Sequence, residues 1–270
     1  MQETRKAIVL TGASGGIGFA IAKKFISEGY LVFGLDIKEP KDNLNGFHFI
    51  KTDITKEQQI HSAFNFVKEK VSEIEAIISA AGIYDLNSLI EISEEDFIRS
   101  FDINVFSMYR VNKAFIPLLK EKGKVIMISS ELGPLDPLPF TGLYGITKST
   151  VEKYAYSLRM ELQLLGYQVV LIRPGAIDTG LLSVSEQKLE KFTNGTKHYS
   201  YNSKKFKEVV SSVESKKVAP EKIAKLIYKA NSKKKPKYVY KINRNFGLLV
   251  LNALPHRLQN WIIKKILTSK

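Results

Sequence analysis

The segment SSELGPLDPLPFTGLYGITK brings together Ser130, Tyr144 and Lys148, three side chains able to hold or move a proton. A nucleophilic serine normally needs a base beside it, most often histidine. The four histidines, His48, His61, His198 and His256, all lie elsewhere in the sequence. Tyr144 and Lys148 are spaced i, i+4 in a stretch that reads as helix, which puts them on one face a turn apart. A free phenol titrates at about pH 10, and an ammonium beside it favours the phenolate and lowers that value. The expected chemistry is proton exchange between Tyr144 and an alcohol or carbonyl oxygen, with Ser130 hydrogen-bonded to the same oxygen. Tyr-x-x-x-Lys alone is common on helix surfaces, so its meaning depends on what surrounds it.

A second group of residues has the make-up of a phosphate cradle. AIVLTGASGGIGFAIAKKF reads as a strand, then Thr11-Gly12-x-x-x-Gly16-x-Gly18, then a helix. Glycines permit a tight turn and let backbone N–H groups approach a pyrophosphate, while the helix N-terminus adds a field favouring anions. Asp36 ends the next strand-like run, VFGLD. A carboxylate there accepts hydrogen bonds from the adenosine ribose hydroxyls and repels the 2′-phosphate of NADP. Strand, glycine turn, helix and acid together predict a dinucleotide site that prefers NAD(H) to NADP(H). Neither Ser14 nor Ile37 offers the basic side chain a 2′-phosphate requires. A cationic nicotinamide would also lower the pKa of Tyr144.

The elements that must position these residues are legible as an alternation. AIVLT, LVFGL, FHFI, AIISA, KVIMIS and QVVLI read as buried strands, with helix-length segments at Gly16–Glu28, Lys56–Ser72, Asn104–Lys122 and Tyr144–Leu165. Such alternation predicts βαβ units and a doubly wound parallel sheet with helices on both faces, a three-layer α/β/α Rossmann fold. After IRPGAIDTG the rhythm stops for roughly forty polar, lysine-rich residues, long for a loop in a compact domain. It resumes in a helix, APEKIAKLIYKAN, with Pro220 near its first turn, and a last strand, KYVYKI. With no internal repeat or low-complexity linker, the chain reads as one domain: a catalytic part over 1–245 and a C-terminal helical tail over 246–270.

In these motifs the chain resembles the short-chain dehydrogenase/reductase family, well over residues 5–180 and loosely over 218–242. The resemblance implies an NAD(P)-dependent oxidoreductase acting on secondary alcohols or ketones. It places the cofactor turn at Thr11, Gly12, Ser14, Gly16, Ile17 and Gly18. It puts Asp53 and Ile54 of TDIT beside adenine, and Ala81 and Gly82 in SAAG, where the family has Asn-Asn-Ala-Gly. Asn104 of DINVF becomes the helix-kink residue of a proton relay through water to the lysine. Ser130, Tyr144 and Lys148 become the catalytic set, and Pro174, Gly175, Ile177 and Thr179 of RPGAIDT lie by the nicotinamide amide. The region at about 180–217 corresponds to a variable substrate lid, whose size implies a bulky or apolar substrate of steroid-, retinoid- or acyl-like kind. Two departures stand out. Both asparagines are missing from SAAG, and the loop before Tyr144 carries three prolines and an extra residue. An NADP(H)-dependent 3-oxoacyl-type reductase and a non-catalytic dinucleotide-binding scaffold are the competing readings; Asp36 opposes the first and the complete Ser130–Tyr144–Lys148 set opposes the second.

Composition limits the rest. The absence of cysteine removes disulfides, thiolate zinc sites and cysteine nucleophiles. No metal site is expected. The start, MQETRKAIVLTG, lacks the apolar region of a signal peptide, and no apolar run is long enough to span a bilayer, so a cytoplasmic protein is expected. The net charge of +14 is unevenly spread: Ser183 to Lys270 holds 21 Lys+Arg against 5 Asp+Glu, and the remainder carries −2. No nucleic-acid motif accompanies this surplus. The tail stretch NALPHRLQNWIIKKIL places Leu258, Trp261, Ile262 and Ile266 at helical spacing beside Arg257, Lys264 and Lys265. That stripe fits a helix packed on the body or, alternatively, one lying peripherally on a membrane surface. The family pairs the segments 104–122 and 144–165 across a dimer axis. A homodimer or homotetramer is therefore expected, with Val151, Tyr154, Leu158 and Leu162 as the apolar stripe of the second helix.

Overall fold

The computed structural model of the protein describes residues 5–214 and 216–269, with backbone alone for 180–186 and 213–214. Its strands are β1 (Ala7–Thr11), β2 (Leu31–Asp36), β3 (Phe47–Lys51), β4 (Ile74–Ser79), β5 (Leu119–Ile128), β6 (Gln168–Pro174) and β7 (Val239–Ile242). All pair in parallel in the order β3-β2-β1-β4-β5-β6-β7. Between them lie α1 (Gly16–Ser27), α2 (Glu57–Lys70), α3 (Glu94–Phe101), α4 (Ser107–Phe115) and α5 (Gly142–Leu162). Then come α6 (Gly180–Gly195), α7 (Ser200–Glu214), α8 (Pro220–Ser232), α9 (Phe246–Asn252) and α10 (His256–Thr268).

The strands are apolar along their whole length because both sheet faces are covered. Along β1, Ala7 and Val9 join a core with α2, α4 and α5, whereas Ile8 and Leu10 join one with α1 and α8. Period-two alternation thus serves two apolar layers at once. The order reverses at β1 and β4, so their C-terminal ends diverge and open a crevice there.

The segment expected as one helix over 104–122 is composite. It contains a π-helical turn at Asp102–Phe106, α4, and a 3-10 turn at Ile116–Leu118; from Leu119 onward the chain is already β5. Pairing of Leu119 with Ile74 overrides the helix propensity of LKEK. Upstream, Ser93 caps α3 by accepting the Asp96 N–H at 3.1 Å, and Glu94, Glu95 and Asp96 complement the helix dipole.

The roughly forty residues that broke the rhythm are two helices, α6 and α7, rather than loop. They have a small core of their own, in which Leu189 and Phe206 meet Leu86, Phe140 and Leu267. Phe140 sits at the centre of this core, its ring 5.0 Å from Phe192, 5.2 Å from Tyr199 and 5.3 Å from Phe206. Its backbone is left-handed, at φ 64°, which is strained for a bulky residue and is held there by that aromatic packing. The tail packs on the body, but not through the stripe expected from spacing. Gln259, Ile263 and Leu267 face inward, while Leu258, Trp261 and Ile266 are exposed. Gln259 can be buried because its amide donates to the Leu254 carbonyl at 2.9 Å.

Candidate active site

The glycine turn follows β1 at the crevice. Gly12 has φ +65°, which side chains on L-residues rarely adopt, and a Cβ on Gly18 would stand 2.0 Å from the Gly12 carbonyl oxygen. The turn therefore closes only with glycine at these positions, and it leaves a cradle ahead of α1 for an anion. Gly16 faces Thr179 across the crevice. Thr11 is buried at the strand end, and its hydroxyl accepts the Ala81 N–H at 3.3 Å, joining the two strand ends that flank the opening. Asp36 accepts the Ser14 N–H at 3.0 Å and the Lys38 N–H at 3.1 Å, while the Ser14 hydroxyl donates to the Lys38 carbonyl at 2.6 Å. Asp53 is fixed by the backbone N–H and hydroxyl of Thr55, and Ile54 is buried in the core. These residues thus lie along the C-terminal edge of the sheet, at or just past the ends of β1, β2 and β3. Lys38, which sequence reasoning passed over beside Ile37, is the exposed cation nearest Asp36 in sequence.

Further along that edge a cleft of ≈ 190 Å³ opens over β4, β5 and β6. It collects Ile17, Gly82, Ser130, Tyr144, Lys148, Pro174, Gly175, Ile177 and Thr179 from the expected set. Asn104 stands behind the lining. Its side-chain oxygen accepts the Ile83 N–H at 2.8 Å, and its amide donates to the Ile83 carbonyl and to the Thr147 hydroxyl at 3.0 and 3.1 Å. The π-helical turn aims this side chain inward, tying the segment after β4 to α5. That clamp braces the segment that directly follows SAAG.

Lys148 is buried and donates to the Ile128 carbonyl at 3.2 Å, with its ammonium 5.7 Å from the centre of the Tyr144 ring. Burial pushes its pKa down to about 8, against a smaller upward pull from Glu152. Glu152 is itself engaged by Arg173, whose Nε donates at 2.9 Å. Ser130 hydrogen-bonds Tyr144, yet burial outweighs that contact and holds the phenol up at about 12, with the Glu131 charge acting in the same direction. Lys148 and a bound cationic nicotinamide are together expected to lower the phenol; among the protein's own groups it is burial that sets the value. The ammonium lies 5.7 Å from the ring centre, and burial lowers its own pKa to about 8 without discharging it at neutral pH. Sequence reasoning also missed Tyr84, stacked edge-on against Tyr144 at 4.7 Å, and Glu131. A charged residue directly after Ser130, at the end of a buried strand, was the available signal for Glu131.

A sequence profile described as short chain dehydrogenase matches residues 6–190. Over 203 residues the chain is 32% identical to estradiol 17-beta-dehydrogenase 2 of Mus musculus, covering 69% of this chain but only 52% of that protein, about half its length. It is 25% identical over 237 residues to 3-ketodihydrosphingosine reductase of Bacteroides thetaiotaomicron, covering 87% of each. The fold matches the structure of Thermoplasma acidophilum aldohexose dehydrogenase at TM-score 0.73 and 21% identity, over 93% of this chain and 96% of that one. The chain belongs to the short chain dehydrogenase family, oxidoreductases that act on CH–OH or carbonyl groups with NAD(P).

Proposed function

We propose that this protein exchanges a hydride between NAD(H) and a secondary alcohol or ketone of bulky, apolar form. The observation that carries this reading is the meeting of Ser130, Tyr144 and Lys148 in one cleft at the end of the glycine-turn crevice. The cradle at Gly12, Gly16 and Gly18, with Asp36 and Asp53 beyond it, fits a dinucleotide. When bound, that cofactor accepts or supplies the hydride at its nicotinamide. Tyr144 holds the proton that passes to or from the substrate oxygen, and Ser130 positions that oxygen. Lys148 braces the site from the Ile128 carbonyl and would donate to a ribose hydroxyl, and Asn104 holds α5 in register behind it. Ile83, Leu138, Phe206 and Leu248 supply the apolar wall that favours a large hydrocarbon body.

Asp36 supports NAD(H) over NADP(H), because a 2′-phosphate would face its carboxylate. Titration with both reduced cofactors, followed by their oxidation against a panel of apolar ketones, tests the reading. NADH should bind more tightly and be consumed. Tighter NADPH binding would reverse the cofactor assignment, and inert behaviour toward every ketone and alcohol would leave only a dinucleotide-binding scaffold.

A homodimer or homotetramer is supported by apolar side chains left exposed at Phe106, Tyr109, Tyr156 and Met160 on and beside α4 and α5. Of the stripe read from spacing, part of which must face the protein's own sheet, Val151 and Leu162 are buried and Tyr154 and Leu158 pack against that core. Sedimentation at micromolar protein should show two or four copies, and a monomer would dismiss the assignment. No helix among the described residues is long and apolar enough to cross a membrane. Peripheral contact is supported by Phe246 at 77% and Trp261 at 58% exposure near Arg244, Arg257 and Lys265. Binding to anionic vesicles that weakens with salt is the expected result, and protein left in the supernatant at low salt would exclude it.

A further inference from the structure

Among the described residues, Glu131 is the one carboxylate lining a cleft whose walls are otherwise mainly apolar, at Ile83, Leu132, Leu138, Phe206 and Val210. It follows Ser130 directly. Its backbone N–H donates to the Pro174 carbonyl at 2.8 Å, which fixes the turn at the end of β5. One carboxylate oxygen, Oε2, accepts the Asn245 N–H at 2.6 Å. The other, Oε1, lies only 2.9 Å from where a Cβ on Gly175 would stand, so the carboxylate reaches across the end of β6. No described cation forms an ion pair with it, and Arg244 attracts it only from a distance. Burial accordingly pushes its carboxyl above the usual range, and its charge opposes ionisation of Tyr144. The protein therefore holds a half-buried, half-satisfied anion beside its proton-transfer tyrosine, an arrangement that costs stability unless something else completes it.

We propose that Glu131 is a substrate-binding residue that receives a protonated amine carried next to the reacting carbonyl or carbinol of a long apolar substrate. This rests on the oxidoreductase reading above. An ammonium is compact, offers three donors and supplies the missing countercharge. It would also offset the opposition of Glu131 to the Tyr144 phenolate. A neutral ketone of the same length leaves the carboxylate desolvated and unpaired, and an anionic substituent is repelled, so discrimination comes from the unmet charge rather than from pocket shape. The competing role is a clasp, with Glu131 serving only to hold Asn245 at the start of α9.

Calorimetric titration of the full chain with saturating NADH, using decylamine and decanol as matched ligands, separates the two. The amine should bind roughly ten- to a hundredfold more tightly, the ratio expected for a hydrogen bond to a charged group. Glu131→Gln retains an acceptor for the Asn245 N–H and should erase most of that ratio. An α-amino ketone and the same ketone without the amine should repeat the ratio in steady-state rates, chiefly through KM. Equal binding of amine and alcohol by the unmodified protein, or a ratio untouched in Glu131→Gln, overturns the proposal and leaves the clasp. Failure of every ketone to turn over would sink the oxidoreductase reading, while the binding ratio still decides whether Glu131 is an amine site.

Discussion

At the N-terminal ends of the strands, Glu75 accepts hydrogen bonds from Tyr30 and Lys120, with Lys6 at 3.6 Å and the Asn231 amide at 3.4 Å. At the C-terminal ends, Tyr144, Lys148 and Glu131 share the cleft, where Tyr144 meets Ser130, Lys148 donates to the Ile128 carbonyl and Glu131 accepts the Asn245 N–H. The residue types are the same: a tyrosine, a lysine and a glutamate on the same sheet. Burial pushes the Glu75 carboxyl up, but bonds from Lys120 and Tyr30 outweigh it and leave it below the usual range. In the cleft burial wins, and every group is held away from its charged form: Lys148 falls to about 8, Tyr144 rises to about 12 and Glu131 rises. A completed network stabilises the fold, whereas an incomplete one stores a preference for a partner.

The largest test of this contrast is a matched pair of substitutions. Tyr144→Phe should lower turnover by roughly 10²–10⁴-fold, the typical loss of an acid/base group, with little change in thermal stability. Tyr30→Phe should leave turnover alone and cost about 1–3 kcal/mol in urea unfolding, because the Glu75 carboxylate loses a buried donor. Near-normal turnover of Tyr144→Phe would remove it as the proton carrier.

Glu75→Gln should cost about 2 kcal/mol at neutral pH by leaving the lysines without their anion. A carboxyl with a depressed folded pKa contributes stability above its unfolded value of 4.5, and that stability is lost as pH falls. The variant should therefore flatten the acid limb of the unfolding curve. An unchanged acid limb would mean that this network carries little of the acid sensitivity.

The smallest expected effect has the opposite sign. Lys148→Met should raise stability at pH 7 while damaging turnover and cofactor binding. The folded pKa of about 8 against 10.5 corresponds to roughly 3 kcal/mol of cost, reduced to about 1–2 once the bond to the Ile128 carbonyl is lost. A lysine with a lowered folded pKa costs most below pH 8 and nothing above its unfolded value, so the gain should shrink between about pH 8 and 10.5. A gain that stays constant across that window would place its origin in packing.

The sheet was legible because strands covered on both faces read as unbroken apolar runs, and the crevice residues because glycine, aspartate, tyrosine and lysine fall at fixed offsets along it. Elsewhere local pattern misled for physical reasons. LKEK is composed of good helix formers, yet pairing with β4 makes it strand. Helices α6 and α7 hide among lysines because their apolar anchors, Leu189 and Phe206, are few and meet partners distant in sequence. The tail buries Gln259 and exposes Trp261, since a satisfied amide packs where apolar counting does not look. Phenol and ammonium pKa values were out of reach because spacing along a helix says nothing about desolvation.

The π-helical turn at Asp102–Phe106 carries one more residue than a regular helical turn would. With 3.6 residues per turn, one residue is worth about 100° of rotation. The chain from Glu94 to Phe115 is thus two helices out of phase by that angle. Losing a single residue anywhere in the turn would merge them and swing Asn104 away from Ile83 and Thr147 without altering Asn104 itself. The length of this segment is therefore as much a part of the site as any side chain in it, and a one-residue gap there in a related sequence marks a protein whose site is built differently.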